Sequence, residues 1–211
     1  MKKTMLLLVA GLVLFLASPA WADTWDFSTP PGNVGTDETY TGSGVGLTIT
    51  AYGYMVGDPN TATDLWGKNE GGGESGLGIA GDSLGAHEIS DEDFVQLDMS
   101  DLVDNGIFTG TLLVGSVQDG ESFQVCVGGT LGELGTCGSV IAGGGGNNPG
   151  DIVTLAVNWT SNDHFVSVIG VNTDVLVASG FEAVPEPATL LLLGTGLVGV
   201  GAKIRRRMKK A

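Results

Sequence analysis

The sequence predicts an all-β body, an antiparallel β-sandwich of jelly-roll type, framed by an apolar leader and a C-terminal membrane-spanning helix. Three observations lead there. Glycine is in excess, 36 of 211 residues, and with Thr, Val and Ser it breaks the chain into short β-branched runs bounded by turn residues. Apolar residues recur between the glycine clusters in period-two or short continuous runs, as strands require. No window of ten or more residues between Asp23 and Ala183 shows a 3.6-residue period, so strands follow one another without helical crossovers.

Taken in chain order, residues 1–22 read as a cleavable signal peptide. Lys2 and Lys3 precede the 13-residue apolar run Met5–Ala17, and Ala20 and Ala22 take the small-residue positions of an A-x-A site. Cleavage after Ala22 leaves Asp23 as the first mature residue. The body, 23–183, then offers strands at Thr24–Phe27, Gly46–Tyr54, Gly76–Ala80, Phe94–Met99, Ile107–Val117, Ser122–Val127, Ile152–Trp159, Phe165–Val171 and Val175–Phe181. In Leu47-Thr48-Ile49-Thr50-Ala51 the apolar residues share one face. The run Ala142–Gly150 reads as a loop between strands.

The most polar stretch, Asp64–Asp104, invites two readings. In the structural one Gly72, Gly73, Gly76 and Gly78 permit tight turns. Leu77, Ile79, Ile89, Phe94, Val95 and Leu97 then supply core, and Asp98 ends its strand by capping a turn. In the other, Glu70, Glu74, Asp82, Glu88, Asp91 and Asp93 offer oxygens to a calcium ion, which takes six to eight such ligands. No Asp-x-Asp-x-Asp-Gly loop supports that set, so calcium stays an option and no cofactor is required. Cys126 and Cys137, an even, closely spaced pair in an exported chain, predict a disulfide.

No catalytic residue is selected. Carboxylates are so many that any pair can be nominated for glycoside hydrolysis. There is no Gly-x-Ser-x-Gly elbow and no His-Glu-x-x-His. His164 reads as a turn residue, and Trp25, Trp66 and Trp159 as core before sugar-stacking platforms.

The C-terminus, 184–211, has three parts in order: Val184-Pro185-Glu186-Pro187, the fifteen uncharged residues 188–202, and a basic end over 203–210. Fifteen helical residues span roughly 22 Å, which snorkelling basic side chains extend to a bilayer's width. The basic cluster stays cytoplasmic and the body lies outside. Pro185 and Pro187 keep the segment before the span extended, the backbone form a protease needs.

Pro185, Glu186, Pro187, the apolar run and the basic end together resemble the PEP-CTERM sorting signal of Gram-negative bacteria, also labelled an ice-binding protein C-terminal motif. The resemblance implies recognition by a membrane-embedded exosortase, cleavage near the motif, and transfer from the inner membrane, with the body in the periplasm, to the cell surface or an exopolysaccharide matrix. The Gly-Leu-Gly, Glu-Ile and strand-terminal Asp of residues 76–98 also resemble segments of other PEP-CTERM proteins, implying a shared domain without a known activity.

Charge narrows the partners. Of 24 Asp and Glu, all but Glu186 lie between Asp23 and Ala183, against one basic residue there, Lys68, so the body carries about −22. Such a surface cannot neutralise phosphates, which excludes nucleic acid. The expectation is a non-enzymatic, membrane-routed surface or matrix protein. The alternatives are a carbohydrate-binding module, calcium-assisted or not, that takes extracellular polysaccharide as partner, and a small secreted hydrolase.

Overall fold

The computed structural model describes residues 23–44, 46–69, 74–81, 87–143, 152–171 and 174–183. Outside them lie the leader with Ala22, the sorting residues Pro185, Glu186 and Pro187, the expected span 188–202, the basic end, Glu70, Asp82 and most of the Ala142–Gly150 loop. Among the described residues no helix is long and apolar enough to cross a membrane. Residues 22–183 form one compact unit.

Fifteen strands are described: β1 (Asp23–Trp25), β2 (Gly32–Gly35), β3 (Asp37–Thr41), β4 (Thr48–Met55), β5 (Asp58–Thr63), β6 (Leu65–Asn69), β7 (Ser75–Ile79), β8 (Asp93–Asp98), β9 (Thr109–Gly115), β10 (Ser122–Gly128), β11 (Thr136–Cys137), β12 (Ile141–Ala142), β13 (Val153–Asn158), β14 (Phe165–Gly170) and β15 (Leu176–Ala183). They form two antiparallel sheets. The first runs β13-β9-β15-β7-β6-β2 with β1 beside β15; the second runs β11-β10-β14-β8-β4-β3 with β12 beside β10 and β5 beside β4.

The sheets meet face to face because each strand alternates. Leu65, Leu77, Ile79, Leu112, Val114 and Phe181 of the first sheet share one core with Ile49, Ala51, Val95, Leu97, Phe123, Val166 and Val168 of the second. The shared face expected for Leu47, Ile49 and Ala51 is present, Ile49 and Ala51 being fully buried. In β14 the alternation splits the strand: Val166 and Val168 enter this core, while Ser167 faces away toward Gln96.

The described strands number more than the nine segments named from the sequence. Those missed are β2, β3, β5, β6, β11 and β12. Several lie at sheet edges, where one face or one side meets water and polar sequence suffices, as in Asp-Glu-Thr-Tyr-Thr of β3 and Asp-Pro-Asn-Thr-Ala-Thr of β5. Gly76 and Gly78, expected in turns, lie within β7. Among the described residues one helix, α1 (Ser100–Asp104), interrupts the strands. At five residues it is too short to leave a periodic trace. Asp98 accepts the Ser100 amide at 2.8 Å, the turn-capping role expected of it. Asp101 in the first turn accepts the Thr48 amide and hydroxyl at 2.7 and 3.0 Å, tying α1 to β4.

The outer face of the second sheet carries a smaller core of Tyr54, Phe94, Cys126 and Ile169, with Leu134 packed on it. Leu134 arrives on the β10–β11 connection, which the expected Cys126–Cys137 disulfide closes. Gln96, fully buried, fastens the same loop. Its amide nitrogen donates to the Glu133 carbonyl at 2.9 Å and the Ser167 hydroxyl at 3.1 Å, and its oxygen accepts the Gly132 amide at 2.7 Å. Two anchors of different chemistry thus hold one loop. Closing a loop with a sequence separation of 11 is worth about 3 kcal/mol of loop-closure entropy. Replacing both cysteines with alanine is therefore expected to lower Tm by roughly 6–12 °C in a domain of this size. A thermal melt of the double variant checks it, and an unchanged Tm would show that Gln96 and Leu134 suffice.

Candidate functional site

The body's lone cation marks its densest charged site. In β6, Leu65 enters the core, which places Trp66 and Lys68 on the opposite face. Their cross-strand partners in β7 are Gly78 and Gly76, so the surface beside them is bare of side chains. The chain uses that space. A Cβ at Gly78 would come 2.1 Å from the His87 carbonyl oxygen, so the His87–Glu88 backbone lies directly on the glycine. His87 then stacks on Trp66, ring centroids 4.0 Å apart and 16° from parallel, and Glu88 meets Lys68 at 2.7 Å. Ile89 beyond it is fully buried and exchanges backbone hydrogen bonds with Val175.

Four further groups complete the cluster. Glu74 pairs with Lys68 at 2.8 Å. Ser116 donates to the same Glu88 oxygen at 3.2 Å. Gln118 donates to Glu74 through its side chain, and its backbone amide donates to Glu121. His87 and Ser116 are the two non-glycine residues with positive φ among the described residues, at 59° and 54°, a conformation that costs on the order of 1 kcal/mol each. Both strained residues flank Glu88.

The electrostatics follow from the burial. Desolvation pulls the Lys68 ammonium down, but hydrogen bonds and attraction from Glu74 and Glu88 outweigh it and push its pKa up to about 12. Glu121 is shifted upward, first by burial and then by Glu88, Asp174 and Glu74, against the Gln118 amide that favours its charged form. An amine held charged by two carboxylates has no lone pair to act as base or nucleophile. The cluster's chemistry is fastening: it clamps the 87–89 segment onto the first sheet.

The sequence-named oxygens are thereby distributed. Glu74 and Glu88 are brought together, around Lys68. Asp93 instead accepts the Ser90 amide and hydroxyl at 2.8 and 2.9 Å, and Asp91 is exposed on the adjoining bend. Among the described residues no three His, Cys, Asp or Glu side chains gather as a metal site. Sequence reading did not single out Ser116, Gln118, Glu121 or Asp174. The signal available was Lys68 itself, one cation among 23 acids.

Away from this cluster a concavity of about 740 Å³ opens between β1, β3 and β15. Its rim carries Asp26, Glu38 and Glu182 with hydroxyls including Thr24 and Thr41. The Tyr40 hydroxyl at this cleft is buried and has no hydrogen-bond partner among the described residues. Burial, then Glu38 and Asp26, raise its pKa well above the ordinary tyrosine value. Of the tryptophans named as stacking candidates, Trp25 and Trp159 are buried, Trp25 donating to the Leu47 carbonyl at 2.9 Å, and half-buried Trp66 carries His87 on its face.

At the other end of the chain, residues 183–207 match the family model of the PEP-CTERM protein-sorting motif. This bears out the resemblance read from Pro185, Glu186, Pro187 and the basic end. The match starts at Ala183, the last residue of β15. Proteins carrying this motif are exported, anchored by the tail before processing, and sorted by an exosortase. No curated protein sequence matches the chain. Among solved structures the chain is similar to the K1 cleaved adhesin domain of Lys-gingipain from Porphyromonas gingivalis W83. Identity is 11% and the TM-score 0.33, over 78% of this chain and 95% of that one, a likeness too distant to carry an argument.

Proposed function

We propose that this chain is a non-enzymatic surface or matrix protein: a β-sandwich of jelly-roll type, led by a cleaved signal peptide and delivered by its tail. A transmembrane span at 188–202 holds the precursor in the inner membrane with the body in the periplasm. Processing near Pro185-Glu186-Pro187 then releases the body to the cell surface or an exopolysaccharide matrix. The sorting motif at 183–207 carries this reading. The body supports it by what its best-built polar site does, since Lys68 is clamped between carboxylates and serves to fasten the chain. Replacing Pro185, Glu186 and Pro187 with alanine is expected to leave the precursor unprocessed and membrane-bound in its native host, read by immunoblot of membrane and extracellular fractions. Normal maturation of that variant would overturn the proposal.

A second reading, a polysaccharide-binding body, is favoured by the cleft between β1, β3 and β15. Carboxylates and hydroxyls on its rim match the donors and acceptors of a sugar. Melting the body with a polysaccharide panel, with calcium and with EDTA separates the two readings. A raised Tm with one polysaccharide, lost in Glu38→Gln, favours binding; no shift with any addition favours the structural role.

A further inference from the structure

Natural sheets protect their edges, because an exposed edge strand is a template for another strand. This body does so at nearly every described edge. β3 carries Asp37 and Glu38, and β5 carries Asp58 and Pro59. β2 has four residues and a register shift between Asn33 and Gly35. β11 and β12 have two residues each. β13 has none of these devices. It is six residues long, Val-Thr-Leu-Ala-Val-Asn, without charge or proline. Its register with β9 is unbroken from Val153–Val114 to Asn158–Thr109. On its other side no strand pairs with it among the described residues.

The surroundings of β13 differ from the rest of the surface in the same sense. From Gly135 to Asn162 the chain holds one carboxylate, Asp151, in a body that carries about −22. Beside β13 an apolar groove of about 430 Å³ opens toward β10 and β12, lined by Val125, Val127, Ile141, Leu155 and Val157. Val140, next in sequence to Ile141, and Ile152, which immediately precedes β13, are 52% and 44% exposed. The outward side chains of β13 are Thr154, Ala156 and Asn158, exposed, uncharged and short enough to let a second backbone approach. A cationic partner would seek the acidic faces. Two copies of this chain repel each other across those faces and can meet closely only along the neutral edge.

We propose that β13 is a self-association edge: the β13 strands of two copies pair antiparallel about a twofold axis. The first sheets of both copies then join into one continuous sheet, with Val140 and Ile152 buried beside the apolar grooves. The contact is isologous, each copy giving and receiving the same strand.

Residues 23–183 hold every described strand and both cores, so this body is the species to test, by analytical ultracentrifugation over a concentration series at low and high NaCl. A reversible dimer is expected, strengthened by salt because salt screens the repulsion between acidic bodies. Ala156→Lys places a charge on the edge and is expected to weaken the dimer by about tenfold or more, with the melt of the dilute monomer unchanged. Thr154→Lys is the second variant should the first fold poorly. Hydrogen exchange on the unaltered body supplies an independent readout, with slowing on association expected along β13. A monomer at every concentration and salt, a dimer indifferent to both lysines, or protection that appears elsewhere would each overturn the proposal.

Discussion

Replacing Lys68 with methionine is expected to destabilise the body by about 3–5 kcal/mol, the cost of leaving buried charge without its partner. Methionine keeps the apolar stem and removes the ammonium, so Glu74 and Glu88 remain beside Glu121 and Asp174 with no cation among them. The pH dependence distinguishes this from loss of packing. In the intact body Lys68 is pushed up to about 12 from 10.5. Its contribution is therefore complete below pH 10.5 and is lost as pH rises through its folded value. Glu121 works in the opposite direction. Its folded pKa lies above the ordinary 4.5, so its penalty is complete above the folded value and is relieved as pH falls toward 4.5. Without the Lys68 cation beside these carboxylates Glu121 is pushed further in the same direction, and the variant is expected to gain more stability on mild acidification than the intact body. Urea unfolding of both proteins from neutral pH to about pH 5 reads the difference. Changing Glu74 and Glu88 to glutamine as well is expected to recover much of the loss, since removing a whole buried pair costs far less than halving it. A Lys68→Met body within about 0.5 kcal/mol of the original would mean the cluster is incidental.

How far the sequence reveals this fold depends on where each strand lies. Segments with a buried face announce themselves: Thr48–Ala51 alternates and Phe94–Leu97 is largely apolar because the core demands it, and both lie in strands. Edge strands such as β3 and β5 meet no such demand, and their polar residues look like loop. The disulfide was legible because two cysteines allow one pairing. The Lys68 cluster was legible only in half. Charge counting isolates Lys68, and Glu74 and Glu88 stand among the sequence-named acids, though as oxygen donors for calcium. That they close on the lysine depends on Gly78 letting residues 87–88 cross the sheet, and on Ser116 reaching in from the far end of β9. Such contacts between distant segments leave no periodic trace.

Phe181→Ala is the second large effect expected, about 3–5 kcal/mol for an aromatic core residue cut back to alanine. Phe181 is fully buried, with Trp25 and Trp159 at ring-centroid distances of 5.8 and 5.7 Å. Gly110 of β9 makes room for it, since a Cβ there would come 2.3 Å from the phenyl ring. Neither tryptophan is positioned to fill the void without giving up its own packing, so the cost belongs at the upper end. Urea unfolding with tryptophan fluorescence reports both the loss and its location. The site bears on sorting because β15 carries Phe181 through to Ala183, where Ala183 pairs with Gly110 on one side and Asp23 on the other. Asp23 in turn is buried, its carboxylate accepting the amides of Gly44 and Leu47. Both ends of the body are therefore locked into one sheet immediately before the sorting motif begins. A processing cut on the N-terminal side of Phe181 would strip β1 of its partner, cut the β15–β9 pairing back to Leu176 and Val177, and expose two tryptophans, an outcome equivalent to the alanine variant or worse. The mature chain is therefore expected to retain Phe181, Glu182 and Ala183, with cleavage on their C-terminal side. Mass spectrometry of the released protein tests this: a stable, folded product that ends before Phe181 would show that β15 is dispensable.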